Sequence, residues 1–392
     1  MIFEISDGVY FVGAMHWDRR LFDELIPLPD GTSYNAYLIK GNEKTALIDA
    51  VDPSKKNELI ENLEKLDLEK LDYIVSNHAE QDHSGVIPAI LEKYPMAKIV
   101  TNEKCKKFLM DLLLLPEEKF LKVEEGEEIH LGGKTLQFIM TPWVHWPETM
   151  VTYLKEYGIL FSCDLFGSHL AVSDIFSTEN VYNPAKRYYA EIMMPFRNKI
   201  KQHMEKLNKF DIKMIAPSHG PVYKNPEFIL NAYNDWISDD VKNEVVIPYV
   251  SMHESVEKMV RYFIDALVEE GINVKPFNLT ASDIGELAMA LVDASTLVIA
   301  TPAVLSGMHP LALYAVYLAN ALRPKTKFVS IIASYGWGCR IVEQAKEMLT
   351  GMKAEFIEPV MVRGQAKKSD YEELRKLAVK IAEKHREVGI LK

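Results

Sequence analysis

From about residue 245 onward, short apolar segments alternate regularly with longer amphipathic ones. Five apolar runs have the length and the Val- and Ile-rich composition of buried strands: 245–250, 273–277, 296–301, 327–333 and 355–361. Helical periodicity follows each run, at about 255–270, 283–292, 309–322, 339–350 and 369–387. Because parallel neighbours need a crossover connection, which is nearly always right-handed, this alternation predicts a doubly wound parallel sheet over residues 245–392.

Residues 1–244 follow a different pattern. Residues 34–52 resemble a hairpin around a polar turn at Gly41 and Asn42. Further short strands are predicted at 72–77, 97–101, 128–131, 135–141, 149–154 and 158–163, and helices at about 54–66, 84–93, 103–114 and 185–209. Runs of strands with helices between them predict two sheets packed face to face and flanked by helices. The polar segment 236–244 is expected to be the linker between the two domains.

The charge and cysteine content exclude several classes of protein. The chain carries 45 basic and 56 acidic residues, a net charge of −11. This acidic charge argues against nucleic acid or an anionic membrane as the main partner, because both bind to basic surfaces. No apolar run approaches the ~18–20 residues of a membrane span, and no basic, apolar leader opens the sequence. Three cysteines give no disulfide framework, and we expect a cytoplasmic protein.

Metal-ligand residue types cluster after predicted strands of the N-terminal part. The segment YIVSNHAEQDHSG (73–85) holds four of them, namely His78, Glu80, Asp82 and His83. Carboxylates packed this closely repel each other unless a cation offsets their charge. His145, Asp164 and His219 each follow a further apolar run. We therefore expect these side chains to meet at one sheet edge and to bind metal.

The order His-x-Glu-x-Asp-His, then His, Asp and His, resembles the binuclear site of the metallo-β-lactamase fold, an αββα sandwich. Hydrolytic zinc members of that fold usually have a second histidine where Glu80 stands here. A carboxylate in its place makes the ligand set harder, which favours non-haem iron or manganese over zinc. Among the matching residues, Asp164 is best placed to bridge two ions.

Three loops of the C-terminal domain resemble those of flavodoxin, with a phosphate loop and two loops around a flavin ring. A doubly wound sheet binds its ligand at the carboxyl ends of its strands. Hydroxyls and a helix N-terminus suit the phosphate, and the aromatic Tyr335 and Trp337 suit the ring. The predicted FMN-binding residues are Ser251, Met252, His253, Glu254, Ser255, Val256, Thr301, Pro302, Ala303, Val304, Leu305, Ser334, Tyr335, Gly336, Trp337 and Gly338.

The combination of these two domains, in this order, resembles the flavodiiron proteins, also called A-type flavoproteins. The resemblance implies that FMN passes electrons to a diiron centre that reduces O2 to water or NO to N2O. Matched by motif position, His78, Glu80 and His145 would bind one iron, Asp82, His83 and His219 the other, and Asp164 would bridge them.

The resemblance also implies partners. Three scattered cysteines cannot build the four-thiolate iron site of a fused rubredoxin, so an external donor is expected, either a rubredoxin or reduced coenzyme F420. A head-to-tail homodimer, alone or within a homotetramer, would bring the FMN of one subunit to the irons of the other.

The same sequence features allow two other functions. The chain would be a zinc-dependent hydrolase of the metallo-β-lactamase fold if the flavodoxin-like domain were only regulatory. It would be a flavin electron carrier if the metal site were only structural.

Overall fold

The computed structural model describes residues 1–392, and the chain divides into two compact units. The first comprises Met1–Tyr189 and Phe196–Ile237, and the second comprises Ala190–Pro195 and Ser238–Lys392. None of the helices combines the length and apolar character that a membrane span requires.

The first unit contains two large sheets. Its strands are β1 (Phe3–Ser6), β2 (Val9–Phe11), β3 (Ala14–His16), β4 (Leu21–Phe22), β5 (Ile26–Pro27), β6 (Thr32–Tyr34), β7 (Tyr37–Lys40), β8 (Thr45–Ile48), β9 (Tyr73–Val75), β10 (Lys98–Thr101), β11 (Phe120–Lys122), β12 (Glu128–His130), β13 (Thr135–Met140), β14 (Met150–Leu154), β15 (Ile159–Cys163) and β16 (Met214–Pro217). One sheet has the order β1-β2-β7-β8-β9-β10-β11 and the other β12-β13-β14-β15-β16, with β3-β6 and β4-β5 as separate pairs.

Helices flank this pair of sheets. They are α1 (Lys56–Lys65), α2 (Gln81–Ser84), α3 (Ile87–Lys93), α4 (Glu103–Leu113), α5 (Tyr182–Tyr188), α6 (Arg197–Leu207) and α7 (Glu227–Ile237). The two sheets share a buried core that includes Phe11 and Tyr37 from the larger sheet and Phe138 and Phe161 from the smaller. A second core joins the other face of the larger sheet to helices α1, α3 and α4. The predicted two-sheet architecture with flanking helices is confirmed.

Two local predictions for this unit are wrong. The helix expected over 185–209 is interrupted between α5 and α6 by a π-helical turn, Tyr189–Met193, and a 3-10 turn, Met194–Phe196. Pro195 lies in this break, where it has no N–H to donate and its ring obstructs a continuous α-helix. The helix was predicted from the spacing of apolar residues alone, and the effect of Pro195 was not taken into account.

The expected linker over 236–244 contains the boundary between the two units but is shorter than predicted, since only residues 238–241 lie outside helix and strand. Trp236 is only 1% exposed and lies at the end of α7, where it packs against Tyr189 and Tyr233. Residues 242–244 open the first strand of the second unit. The charge of Glu244 suggested a solvated linker, but its carboxylate pairs with Lys275 Nζ at 2.8 Å across the sheet.

The second unit is a doubly wound parallel sheet. Its elements are β17 (Lys242–Tyr249), α8 (Ser255–Glu269), β18 (Asn273–Asn278), α9 (Ile284–Leu291), β19 (Ala294–Val304), β20 (Gly307–Met308), α10 (Pro310–Leu322), β21 (Phe328–Tyr335), α11 (Ile341–Met348), β22 (Glu355–Phe356), β23 (Val360–Arg363) and α12 (Lys368–Glu387). The main strands have the order β18-β17-β19-β21, with β22 and β23 both pairing with β21. This is the flavodoxin-like order, and it confirms the predicted doubly wound sheet.

The pattern of buried residues explains the helices of this unit. In α8, the buried Val256, Met259, Val260 and Phe263 recur at helical spacing and pack in one core with residues of α12. The strand expected over 355–361 is divided into β22 and β23, and Pro359 lies in the gap, where it cannot donate to a ladder.

Candidate metal centre

The residues predicted to bind metal lie just beyond the ends of four strands of the first unit. His78 to His83 follow β9, and His145 follows β13. Asp164 comes directly after β15, and His219 comes shortly after β16. The strands β8, β9 and β10 are parallel in the larger sheet, and β15 and β16 are parallel in the smaller one, so their carboxyl ends lie at one edge of each sheet. All seven side chains meet beside these two edges.

Four of these residues form a first group of ligand atoms, His78, Glu80, His145 and Asp164. Glu80 Oε2 is 3.1 Å from the Nε2 atoms of both His78 and His145. Asp164 Oδ2 is 3.5 Å from the same two nitrogen atoms. Two imidazoles and two carboxylates thus surround one point.

A second group contains Asp82, His83 and His219. His83 Nε2 is 3.3 Å from Asp82 Oδ1, and His219 Nε2 is 3.1 Å from Asp82 Oδ2. Asp164 Oδ1 lies 3.0 Å from His83 Nε2 and 3.5 Å from His219 Nε2. Asp164 therefore presents one oxygen atom to each group, which is the arrangement that a bridging carboxylate requires. The ligand roles themselves remain predictions.

The burial of these groups tests whether a cation fits. Both carboxylate oxygens of Asp82 and the Oδ2 atom of Asp164 are buried without a hydrogen-bond partner. A buried anionic oxygen without a donor or a cation is costly. Metal ions between these groups would satisfy all three atoms. The imidazole nitrogens and carboxylate oxygens form a donor set that suits iron.

A thiol lies beside the second group. The sulfur of Cys163 is within 4.8 Å of ligand atoms of His83 and Asp164. Burial raises the pKa of this thiol well above its usual value, so it stays protonated at neutral pH. Because the thiolate is the form that binds metal, Cys163 is a poor ligand beside these imidazoles and carboxylates.

Electrostatics in the cluster favour ionised carboxylates. Burial opposes ionisation of Asp164, but His83 and its neighbours hold the pKa of this carboxyl well below its usual value. Burial likewise disfavours a charged His83, yet Asp82 and Asp164 raise its pKa to about 9. Burial also opposes charge on His78, whose pKa the hydrogen bonds to Glu148 and Glu80 hold well above its usual value. His78 and His83 therefore tend to carry protons at neutral pH, and a metal that binds them would have to displace those protons.

Several residues that the sequence reasoning missed hold the predicted ligands in position. Glu148 Oε1 is 2.7 Å from His78 Nδ1, and the Tyr188 hydroxyl donates to Asp164 Oδ1 at 2.8 Å. The carbonyl oxygen of Ser33 is 2.6 Å from His219 Nδ1. None of these partners lies at a recognisable ligand spacing in the sequence, so only the folded chain reveals them.

A cavity of about 420 Å3 opens onto the cluster. Its walls include Glu80 and Asp82 from the two groups, together with Phe22, Asp23 and Trp146. Burial and then the charges of Glu80 and Asp82 raise the pKa of Asp23 to about 6. A small molecule in this cavity would be in contact with ligand residues of both groups.

In the second unit, the predicted flavin-binding residues lie at the carboxyl edge of the parallel sheet, with one correction. Residues 251–254 form a loop between β17 and α8, and residues 336–338 follow β21. Residues 301–304, however, are the end of β19, and Ser334 and Tyr335 are the end of β21. These stretches were expected to be loops, but β19 and β21 pair as far as Pro302 and Ser334, and β19 continues into a hairpin with β20.

The hairpin turn and the loop after β21 adjoin. Arg340 N donates to Ser306 O at 2.7 Å, and a Cβ atom on Gly338 would lie 2.7 Å from Ser306 Oγ, so a side chain there would require the Ser306 hydroxyl to move. Leu305 and Trp337 are 90% and 85% exposed. Two large apolar side chains thus extend into solvent from adjoining loops, as expected of the walls of a site for a flat ring.

The loop before α8 has the features of a phosphate site, although it contains an acidic residue. Ser251 Oγ accepts from Glu257 N at 3.0 Å, which fixes the loop against the first turn of α8. Glu254 Oε2 is 3.0 Å from Lys258 Nζ, so a lysine offsets this carboxylate. The positive end of the helix dipole favours an anion here. These residues fit an FMN phosphate.

Comparison with known proteins agrees with both units. A family model described as ODP family beta lactamase matches residues 32–220. A nitric oxide reductase from Moorella thermoacetica is 36% identical over 97% of this chain and 98% of its own length. A coenzyme F420H2 oxidase from Methanothermobacter marburgensis is 34% identical over 78% of each chain.

Solved structures match across almost the whole chain. Rubredoxin oxygen:oxidoreductase from Desulfovibrio gigas matches with a TM-score of 0.95 at 31% identity, over 99% of each chain. The flavodiiron protein from Giardia intestinalis matches with a TM-score of 0.89 at 26% identity, over 98% of each chain. These matches confirm the predicted fold class, a metallo-β-lactamase-like sandwich followed by a flavodoxin-like sheet. The chain belongs to the flavodiiron protein family.

Proposed function

We propose that the chain is an oxidoreductase that reduces O2 to water, NO to N2O or both at a non-haem diiron centre supplied with electrons by FMN. The observation that carries the proposal is the position of Asp164, whose two oxygens face separate histidine and carboxylate groups. The named activities of the relatives, nitric oxide reductase, coenzyme F420H2 oxidase and rubredoxin oxygen:oxidoreductase, support the same reaction class.

The proposed metal ligands follow the two groups. His78, Glu80 and His145 would hold one iron, and Asp82, His83 and His219 the other. Asp164 would bridge them. The bound irons would supply one-electron redox chemistry and open coordination positions for a diatomic substrate.

The residues of the chain shape the place where the substrate would bind. Tyr188 donates its hydroxyl hydrogen to Asp164 Oδ1, which limits the rotation of that carboxylate. The indole of Trp146 lies edge-on to the His78 imidazole, with ring centroids 5.0 Å apart. Phe22 and Trp146 make part of the cavity wall apolar, which suits a small uncharged gas.

The flavin would lie at the carboxyl edge of the second sheet. We propose residues 251–256 for the phosphate and residues 301–305 and 334–338 for the ring, with Trp337 stacking on it. In this proposal the diiron domain, expected over residues 1–244, ends before β17, and the FMN-binding domain, expected over residues 245–392, begins with that strand at Lys242. These residues would hold FMN, which would supply redox chemistry in both one- and two-electron steps.

We further propose a rubredoxin or reduced coenzyme F420 as the electron donor, by analogy with the names of the relatives. The active form would be a head-to-tail homodimer, alone or within a homotetramer. The cysteines are free, which fits the reducing conditions of the cytoplasm.

The main test is cofactor analysis of anaerobically purified protein followed by gas consumption. We expect about two irons and one FMN per chain, by the ligand sets above, and consumption of O2 or NO when a reduced donor is added. Separate assays with rubredoxin and with reduced F420 identify the donor by rate, and paired O2 and NO assays identify the substrate. Zinc in colourless protein with hydrolytic turnover would instead support the hydrolase. Bound flavin with a metal site that does not react with either gas would support the electron carrier.

The oligomeric state needs its own measurement. Activity and sedimentation are followed together over a dilution series of the holoenzyme. We expect the specific activity to fall as the dimer dissociates. Full activity in a monomeric fraction would contradict the head-to-tail dimer but leave the reaction class intact.

A further inference from the structure

Two histidines of the candidate metal centre have different partners on their outer nitrogen atoms. His219 Nδ1 is 2.6 Å from the carbonyl oxygen of Ser33, a neutral acceptor. His78 Nδ1 is 2.7 Å from Oε1 of Glu148, a carboxylate, and both side chains are completely buried. The outer nitrogen atoms of His78 and His219 therefore face groups of different charge.

We propose that Glu148 is a positioning residue that directs His78 Nε2 towards the metal and makes the position of His78, Glu80 and His145 more electron-rich than it would be without this carboxylate. This inference rests on the proposed diiron function. It assigns a role to a residue that contacts His78 and is not itself expected to bind metal.

The geometry determines which nitrogen of His78 is free to bind metal. An ionised carboxylate only accepts hydrogen bonds, so Nδ1 carries the hydrogen that it donates to Glu148. Nε2 is then the nitrogen available to a metal, and it lies 3.1 Å from Glu80 Oε2 and 3.5 Å from Asp164 Oδ2. A carboxylate behind a metal-binding histidine fixes the tautomer and the orientation of the ring in this way.

Glu148 is itself held in place. Its Oε1 atom also accepts from the backbone N–H of Ala79 at 3.2 Å. Its carbonyl oxygen accepts from Asn102 Nδ2 at 2.6 Å. With both its backbone and its carboxylate fixed, Glu148 holds the His78 ring in one orientation.

The charge of Glu148 acts mainly on His78. Its second oxygen, Oε2, is buried and has no hydrogen-bond partner. The only ion pair of this carboxylate is with the His78 imidazole. Because no lysine or arginine offsets the charge, the carboxylate draws the Nδ1 hydrogen towards itself and raises the electron density on Nε2. The carbonyl oxygen of Ser33 is neutral, so it raises the electron density on Nε2 of His219 by a smaller amount.

The difference has a measurable consequence. A more electron-rich ligand set stabilises the oxidised ion relative to the reduced ion, so the charge of Glu148 should lower the reduction potential at the His78 position. It should also bind its metal more tightly, because outer partners of this kind typically change metal affinity by about 10- to 100-fold.

The test compares iron-loaded wild-type protein with Glu148→Gln, which keeps the shape but removes the charge. We expect the variant to fold and to bind two metals, but one of them should be lost to a chelator about 10- to 100-fold more readily than in wild type. In a spectroscopic redox titration one of the two reduction potentials should rise and the other should stay unchanged. Glu148→Ala should shift both quantities in the same direction and further.

Glu124→Gln is the matched control. Glu124 and Glu148 both line a second cavity, of about 320 Å3, but Glu124 is exposed and pairs with Lys122. This variant should behave as wild type in both measurements. Circular dichroism of all variants separates a folding defect from a local effect, and Glu148→Asp provides a second folded variant if the alanine variant unfolds.

The outcomes distinguish this inference from the proposed function. Unchanged chelator resistance and potentials in a folded Glu148→Gln protein would overturn the role of Glu148. Equal loss of both metals would overturn the claim that Glu148 acts on one position. If the wild-type protein itself holds no iron pair, the proposed function fails.

Discussion

The candidate metal centre and the proposed flavin site are built in opposite ways. At the candidate metal centre, buried charged side chains hold one another, as Asp164 does with His83 and Tyr188. At the proposed flavin site, Leu305 and Trp337 extend almost fully exposed from adjoining loops. A buried group of charges needs fixed partners because each unpaired group is costly. An apolar wall for a flat ring needs only a rigid support.

Removal of the shared carboxylate should have the largest effect. In Asp164→Asn the group that faces both ligand sets loses its charge, so both metal positions should weaken together. We expect metal content to fall below one ion per chain and gas reduction to fall more than about 100-fold, since the charge of a buried cluster is removed. Metal analysis and oxygen-electrode assays measure this. Asp211→Asn, at an exposed aspartate beside Lys213, is the control and should keep both properties. FMN content should not change in either variant.

Metal affinity should depend strongly on pH, whereas FMN affinity should not. The pKa of His83 is raised to about 9, chiefly by Asp82 and Asp164 acting against burial, so a metal must displace a proton from this histidine below that pH. Lowering the pH from 9 towards 7 should therefore weaken metal binding by up to about tenfold per pH unit, because the metal competes with the His83 proton. The raised pKa of His78 should weaken metal binding at low pH in the same way.

Anaerobic Mn²⁺ titrations between pH 7 and 9 measure this dependence. His83→Asn should reduce the slope because one titrating group is removed. Over the same range FMN affinity should stay flat, since a phosphate monoester has a second pKa of about 6. A pH-independent metal affinity would show that the histidines do not hold protons in competition with the metal.

A smaller pH effect is expected within the second unit. Burial lowers the pKa of His385 to about 4, so the imidazole stays neutral in the folded protein. Its Nδ1 is 2.8 Å from Asn243 Oδ1, and its Nε2 is 2.8 Å from Ser295 Oγ and 2.7 Å from Thr296 Oγ1. The unfolded chain takes up a proton at about pH 6.5, so stability present above that pH is lost as the pH falls towards 4, by up to about 3 kcal/mol.

Hydrogen exchange of β17 and β19 in the full chain measures that loss locally. His385→Gln should be less stable at pH 7 but should lack this component of the pH dependence. Identical pH profiles for the variant and the wild type would contradict the assignment.

Truncation of the flavin wall should have the smallest effect. In Trp337→Ala the loss of ring stacking, about 1 kcal/mol, should weaken FMN binding roughly fivefold and leave metal content unchanged. Flavin fluorescence titration of deflavinated protein gives the dissociation constants. Tyr317→Ala, at an exposed aromatic residue of α10, is the matched control and should bind FMN as wild type does. A loss of metal in Trp337→Ala would break the contrast between the two sites.

The regular parts of the fold were predictable because local patterns specify them. The apolar runs that became β17, β19 and β21 are continuous and Val- or Ile-rich, as parallel strands buried on both faces must be. Prediction failed where one residue outweighed a pattern, as at Pro195, or where tertiary pairing ordered a polar segment, as at Glu244. Helix α7 was not predicted at all, although its buried Trp236 and Tyr233 recur at helical spacing.

The sequence by itself determined the two architectures and the types of ligand atom, because strand and helix periodicity and the choice of histidine or carboxylate are local properties. Only the tertiary structure decided that Asp164 turns one oxygen to each group, and that Glu148 and Ser33 support different histidines. His78 and Glu148 are 70 residues apart in the chain, and Ser33 and His219 are 186 apart. Hydrogen bonds over such separations depend on how the two sheets pack, which no local pattern encodes.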